Sequence, residues 1–189
     1  GAVRTALGML RAMDGLNAEF QGQGLPRLSM GVGINTALVV AGNMGSQTRM
    51  NYTVIGDGVT LASRLEGLCK KYGVSVIASE TTRVLAPGFA FRELDWVRVK
   101  GKSEPVTIYE PVGESDKIDP RALRELEAYN EALALYRSRR WDQAGVRFAE
   151  LRREFPDCYI YQVYLDRAAE FLRSPPGADW DGSHTFHEK

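Results

Sequence analysis

Residues Asn51 to Glu66 read NYTVIGDGVTLASRLE, and the parsing of this stretch decides the fold. Asn51 to Ile55 is an extended run with strand composition. Gly56 and Asp57 form a corner, with Asp57 placed to N-cap a helix that runs to about Tyr72. Along that helix Leu61, Ala62, Leu65, Leu68 and Cys69 recur at threes and fours and so face inward. Thr60, Ser63, Arg64, Gly67 and Lys71 make the other side. Thr60 and Arg64 thus place a hydroxyl and a guanidinium one turn apart, just past a glycine corner. Taken alone, Arg64 reads as an ordinary exposed arginine of a surface helix. Asp57, by its position, reads as a cap before it reads as a metal ligand.

Working outward, the flanks alternate between strand and helix patterns. Val3, Leu7, Leu10, Met13, Leu16 and Phe20 predict a helix over residues 2–20, broken by Gly22, Gly24 and Pro26. Leu28 to Thr36 predicts a strand, and LVVAGNMGS a second one with a glycine exit. VSVIAS predicts a strand, and Glu80 to Leu85 a short helix ended by Pro87-Gly88. FAFRELDWVRV and PVTIYEPV predict two strands joined by KGKSE. After Gly113 the character changes. ESDKIDP is a polar linker, followed by helical patterns over Arg121 to Arg139, Trp141 to Glu154 and Tyr159 to Leu172. Ala132, Leu135, Ala144, Phe148, Leu151 and Pro156 fit one tetratricopeptide-type helical hairpin. A single such repeat cannot bury both faces alone, so it is expected to pack on the first domain or on another chain. SPPGADWDGSHTFHEK reads as an irregular tail that Trp180 anchors. The expected divisions are residues 1–113, a linker at 114–120, a helical unit at 121–174 and a tail at 175–189. The class is mixed α and β with mostly antiparallel hairpins, followed by a small all-α unit.

Composition bounds the function. The chain has 189 residues, enough for one or two domains with a real core. Lys plus Arg and Asp plus Glu each number 24, so no whole-chain field draws nucleic acid or anionic lipid. Cys69 and Cys158 lie in different segments and read as reduced thiols. No run of about 18 apolar residues suggests a membrane span. The sequence opens on Gly1 and directly on helical periodicity, and is expected to be part of a longer chain.

Three short motifs carry little by themselves. KGKS (Lys100 to Ser103) has the end of a phosphate-binding P-loop, but Trp96 stands where its first glycine is needed and a strand follows. Lys100 and Lys102 could still hold a phosphate by charge alone, and a solvated turn is the other reading. GVGIN (Gly31 to Asn35) lacks the third glycine of a dinucleotide fingerprint and reads as a strand with close backbone packing. His184 and His187 define no closed metal site.

Together, MGVGINT, VVAGNMGS, RMNYTVIGDGVTLASRLE, KKYGVSVIASE and FRELDWVRVKGKSEPVTIYE resemble the C-terminal half of a class III adenylate/guanylate cyclase catalytic domain. The similarity runs from about Gly1 to Val112, in the family's order and spacing. The helical unit and the tail around Pro175 to Gly182 look like the C-terminal appendage of some bacterial members. The resemblance implies a ferredoxin-like core, a head-to-tail homodimer and a cytoplasmic location. It also implies conversion of ATP or GTP to the 3′,5′-cyclic nucleotide and pyrophosphate. In that reaction the 3′-hydroxyl attacks the α-phosphate in line, with two divalent ions, magnesium or manganese, held by two aspartates.

Carried over by position, Arg64 falls on the family's transition-state arginine. A planar, permanently charged, multiply donating group suits that role. Thr60 falls where the family usually has an asparagine that orients the ribose, and is a departure from it. Thr53 falls on the purine-selecting position, where threonine or aspartate leans to ATP. Lys100 falls on the lysine that binds the terminal phosphates. The family's metal-binding motifs and its purine-contacting lysine have no counterpart in this sequence. The chain is therefore expected to carry only the transition-state half of each site, to hold no metal and to be inactive alone. Two other readings stay open: a catalytically degenerate homologue serving as a nucleotide-binding or dimerisation module, and a helical-repeat module that docks a protein partner.

Overall fold

Strand and helix patterns alternate because two helical layers cover one twisted sheet. The computed structural model describes residues 1–46, 49–98 and 104–186. Its elements are α1 (Ala2–Gly22), β1 (Val32–Ile34), β2 (Val40–Ser46), β3 (Arg49–Ile55), α2 (Asp57–Tyr72), β4 (Val76–Ser79), α3 (Glu80–Val84), β5 (Phe89–Arg98), β6 (Val106–Glu114), α4 (Pro120–Arg137), α5 (Trp141–Glu154), α6 (Ile160–Arg173) and β7 (His184–Thr185). Five strands form one sheet in the order β1-β4-β6-β5-β7, and β2 and β3 form a separate antiparallel pair. Within the larger sheet β1 with β4 and β5 with β7 are parallel, and the other two pairings antiparallel.

The period-2 geometry of a strand sends alternate side chains of β4 to opposite faces. Val76 and Ala78 meet Val3 and Ala6 of α1 and Ile34 of β1. Ile77 points the other way, into a larger core with Leu61, Leu65, Leu68 and Tyr72 of α2. That core continues without a break into Tyr129, Leu133, Phe148, Ile160, Tyr161 and Tyr164 of the C-terminal helices. The apolar face that one helical hairpin cannot cover by itself is covered here by the sheet and α2. At about 25 cal/mol per Å² of apolar surface buried, such large side chains dominate the attraction between the two parts.

A bulge in β5 helps join them. Glu93 is opposite Tyr109 and Asp95 is opposite Ile108, so Leu94 is the extra residue. Two carbonyls at this irregularity are used by the helices: Tyr129 donates to the Glu93 carbonyl at 2.8 Å and Tyr164 to the Leu94 carbonyl at 2.7 Å. Buried backbone acceptors are thereby satisfied across the junction.

Two segments differ from the sequence expectation. The strand expected over Leu28 to Thr36 is only Val32–Ile34. Asn17 of α1 takes both backbone groups of Leu28, donating to its carbonyl at 2.9 Å and accepting from its N–H at 2.8 Å. A side-chain amide thus occupies the groups that a strand neighbour would use. The segment read as an irregular tail includes β7, which pairs with Val97 and Arg98 of β5. Trp180 packs on Tyr136, Trp141 and Phe171, as an anchor would. Both cysteines are free thiols, and no described helix is long and apolar enough to cross a membrane.

Candidate functional site

The helix that carries Thr60 and Arg64 is fixed by unusually close backbone packing. A Cβ at Gly33 of β1 would lie 1.9 Å from the Ala62 carbonyl oxygen and 2.6 Å from the Glu66 nitrogen. Only glycine lets α2 sit this close to the strand. The reading of GVGIN as a strand with close packing falls on this contact. At the helix start, Asn35 donates from Nδ2 to the Gly58 carbonyl at 3.0 Å. A Cβ at Gly58 would come within 2.5 Å of the Ala37 Cβ. These contacts hold the first turn of α2 against the end of β1.

The corner itself differs from the expectation in one respect. Gly56, with φ 146° and ψ 164°, occupies the N-cap position, and no side chain among the described residues caps the helix. Asp57 is the first helical residue and is exposed. It adds negative charge to the first turn, which suits the helix dipole, but it is not the cap. The positive φ at Gly56 excludes most other residues from that position. The corner therefore depends on Gly56 rather than on the aspartate.

Arg64 is half-buried and Thr60 exposed, on one side of α2, while Leu61, Leu65 and Leu68 bury the other. Among the described residues, the Arg64 guanidinium and the Thr60 hydroxyl have no hydrogen-bond or ion-pair partner. Thr53 lies on β3 opposite Gly42, exposed, four residues before Asp57. The topology thus runs Thr53, the Gly56 corner, Thr60 and Arg64 through one strand–turn–helix unit. Lys100 lies outside the described residues, as does His187. No group of three or more His, Cys, Asp or Glu among the described residues could hold a metal ion.

The β2–β3 pair projects with large apolar side chains exposed along it. Val40, Met50, Tyr52, Val54 and Ile55 are all uncovered, as are Leu38 and Val39 just before it. This exposed apolar stretch adjoins α2.

A second polar constellation, which the sequence reading missed, lies at the far end of α2. Tyr72 donates to Asp95 Oδ2 at 2.6 Å, and Arg167 of α6 donates to the same oxygen at 2.6 Å. Asp95 Oδ1 accepts from the Trp96 N–H at 2.8 Å. Burial, reinforced by the neighbouring Asp95 carboxylate, pushes the Tyr72 phenol well above its ordinary range. Nearby, Arg92 is buried and bridges Glu110 at 2.8 Å and Glu125 at 2.7 Å. The only sequence signal for either cluster was the set of charged residues interleaved with apolar ones along β5, and no local pattern names their distant partners.

Residues 2–110 match the family described as the adenylate and guanylate cyclase catalytic domain. The terminal-differentiation specific adenylate cyclase of Dictyostelium discoideum is 32% identical over 179 residues, covering 92% of this chain and 8% of that protein. An adenylate cyclase of Anabaena cylindrica is 43% identical over 117 residues, covering 58% and 23%. The crystal structure of the adenylyl cyclase CyaB from P. aeruginosa superposes with a TM-score of 0.53 at 34% identity, over 60% of this chain and 58% of that one. The chain thus spans a small part of the length of these two curated relatives.

Proposed function

The chain belongs to the adenylate and guanylate cyclase catalytic-domain family, and from that premise we propose that it supplies the arginine-bearing half of an active site that converts ATP to 3′,5′-cyclic AMP and pyrophosphate. One observation carries this reading. Arg64 sits half-buried on a helix held by backbone contact to β1, and its guanidinium has no partner among the described residues. A charged fork of donors on a firmly seated helix, with no partner among the described residues, suits the charge that develops around a phosphate in the transition state.

In this reading residues 1–113 form the cyclase part and 121–174 the helical part. Arg64 supports the α-phosphate, Thr60 bonds the ribose, Thr53 selects adenine and Lys100 holds the terminal phosphates. Thr60 offers one hydroxyl where the family's asparagine offers an amide pair. The two divalent ions of the family would lower the barrier by polarising the phosphates. The family's two metal-binding motifs have no counterpart in the sequence, and among the described residues no group of three or more His, Cys, Asp or Glu comes together. The ions belong in this reading to aspartates outside the 189 residues, and the chain by itself makes no cyclic nucleotide. The exposed apolar β2–β3 pair supports a homodimer in which a second copy covers it.

The replacement at Thr60 favours one other reading, a catalytically degenerate homologue that binds nucleotide without turnover. The experiment that decides uses a protein holding this chain together with the family's metal-binding aspartates. Incubated with manganese or magnesium and either ATP or GTP, it is expected to release cyclic AMP in preference to cyclic GMP. Nucleotide binding without product would support the degenerate homologue. Metal-dependent cyclic AMP from the 189-residue chain alone would contradict the half-site reading.

A further inference from the structure

The C-terminal helices do more than cover a sheet face: two contacts fasten them to the end of α2. The first is Gly73, the left-handed C-cap of α2, with φ 67° and ψ 30°. A Cβ there would come within 2.5 Å of the Tyr159 Cβ, so the helix end is pressed against the N-cap residue of α6. The second is the buried set of Tyr72, Asp95 and Arg167. Tyr72 is 1% exposed and comes from α2, Asp95 is 1% exposed and comes from the β5 bulge, and Arg167 comes from α6. Arg167 also lies over the Tyr72 and Tyr164 rings, with its carbon 5.8 and 5.5 Å from their centroids. The tail closes the arrangement. Phe186 meets the Tyr72 ring edge-on at 6.0 Å, and Lys71 lies over the Phe186 ring at 4.6 Å.

Arg64 and Tyr72 are eight residues apart on one continuous helix, or about 12 Å along its axis. A helix is stiff over that length, so fixing its C-terminal end fixes the direction of its other residues. The N-terminal end is held by Gly33 and Asn35 and the C-terminal end by α6. We propose that Tyr72, Asp95 and Arg167 are positioning residues for the cyclase reaction, by which the C-terminal helices set the orientation of the helix that presents Thr60 and Arg64. The helical unit is then an integral part of the catalytic machinery rather than a detachable appendage. A misplacement of an arginine acting on the transition state lowers turnover more than ground-state binding. The proposal rests on the cyclase reading above for its consequence, but the clamp itself does not.

Tyr72→Phe tests it with little risk to folding, because the ring stays in the core and Asp95 keeps both Arg167 and the Trp96 N–H. Amide hydrogen exchange on the 189-residue chain should quicken by about tenfold for the last two turns of α2, with β4 and β6 unchanged. In the longer, metal-competent protein, kcat should fall by about threefold to tenfold with KM for ATP within about twofold. Arg167→Met should act in the same direction and Arg167→Lys should recover part of the loss. Unchanged or uniformly faster exchange would overturn the clamp. Local loosening with unchanged kcat, or a rise in KM alone, would overturn the positioning role. If the unsubstituted protein makes no cyclic nucleotide, the cyclase reading fails on its own, and exchange still decides whether the clamp exists.

Discussion

At the residue scale the site depends on a few positions whose roles differ in how far the sequence revealed them. Arg64 reads as an ordinary surface arginine in isolation, and only the linked motifs around it mark it out. Its lack of a protein partner among the described residues could not be read from sequence, since pairing depends on residues distant along the chain. If Arg64 stabilises developing charge, Arg64→Ala should lower kcat by on the order of a hundredfold or more in the metal-competent protein, as loss of a comparable donor does. An unchanged rate would remove the residue from the mechanism. Thr60 offers less reach than an amide, so Thr60→Asn should leave turnover unchanged or raise it. A clear loss would show that the hydroxyl has a specific task. Asp57 was read as the cap by residue type, but the backbone geometry gives that position to Gly56, whose φ of 146° no residue-type rule foresees.

At the element scale the strongest signals were periodic ones. The apolar spacing of α2, the alternation around the Gly56 corner and the glycine-bounded β2 and β3 were all legible, because each rests on local repeats. What escaped were features set by distant partners. Leu28 is drawn out of strand pairing by Asn17, and the two residues of β7 pair only because the edge of β5 is there to receive them. Gly33 lies between these cases, since its pattern suggested close packing without naming the neighbour. The contact makes a sharp prediction. Gly33→Ala would put a methyl 1.9 Å from the Ala62 carbonyl, so α2 must move away from β1. The expected cost is about 3 kcal/mol, toward the upper end for overpacking, read from urea denaturation midpoints. A substitution that leaves the midpoint in place would mean that α2 is not seated as described.

At the scale of the whole molecule, one apolar core runs from α2 through the sheet into the C-terminal helices. Tyrosines at this junction carry a pH signature. Burial pushes the phenols of Tyr72, Tyr129 and Tyr164 well above their ordinary range, whereas in the unfolded chain they ionise near about pH 10. Their raised folded values make a contribution to stability that is complete below about pH 10 and is lost as pH rises toward those values, because only the unfolded chain releases the protons. The denaturation midpoint should therefore fall between about pH 8 and about pH 11, with tyrosinate absorbance from these residues appearing only as the chain unfolds. Free titration of all tyrosines in the folded protein would contradict the buried junction. The central claim, that this chain brings the arginine side of a shared cyclase site, is tested most directly by subunit complementation. A metal-competent protein with Arg64→Ala and one lacking a metal-binding aspartate should each be inactive alone. Mixed and allowed to exchange subunits, they should regain roughly a quarter of the unsubstituted activity, because one of the two sites in each mixed dimer is intact. No recovery from a mixture shown to contain mixed dimers would contradict the account.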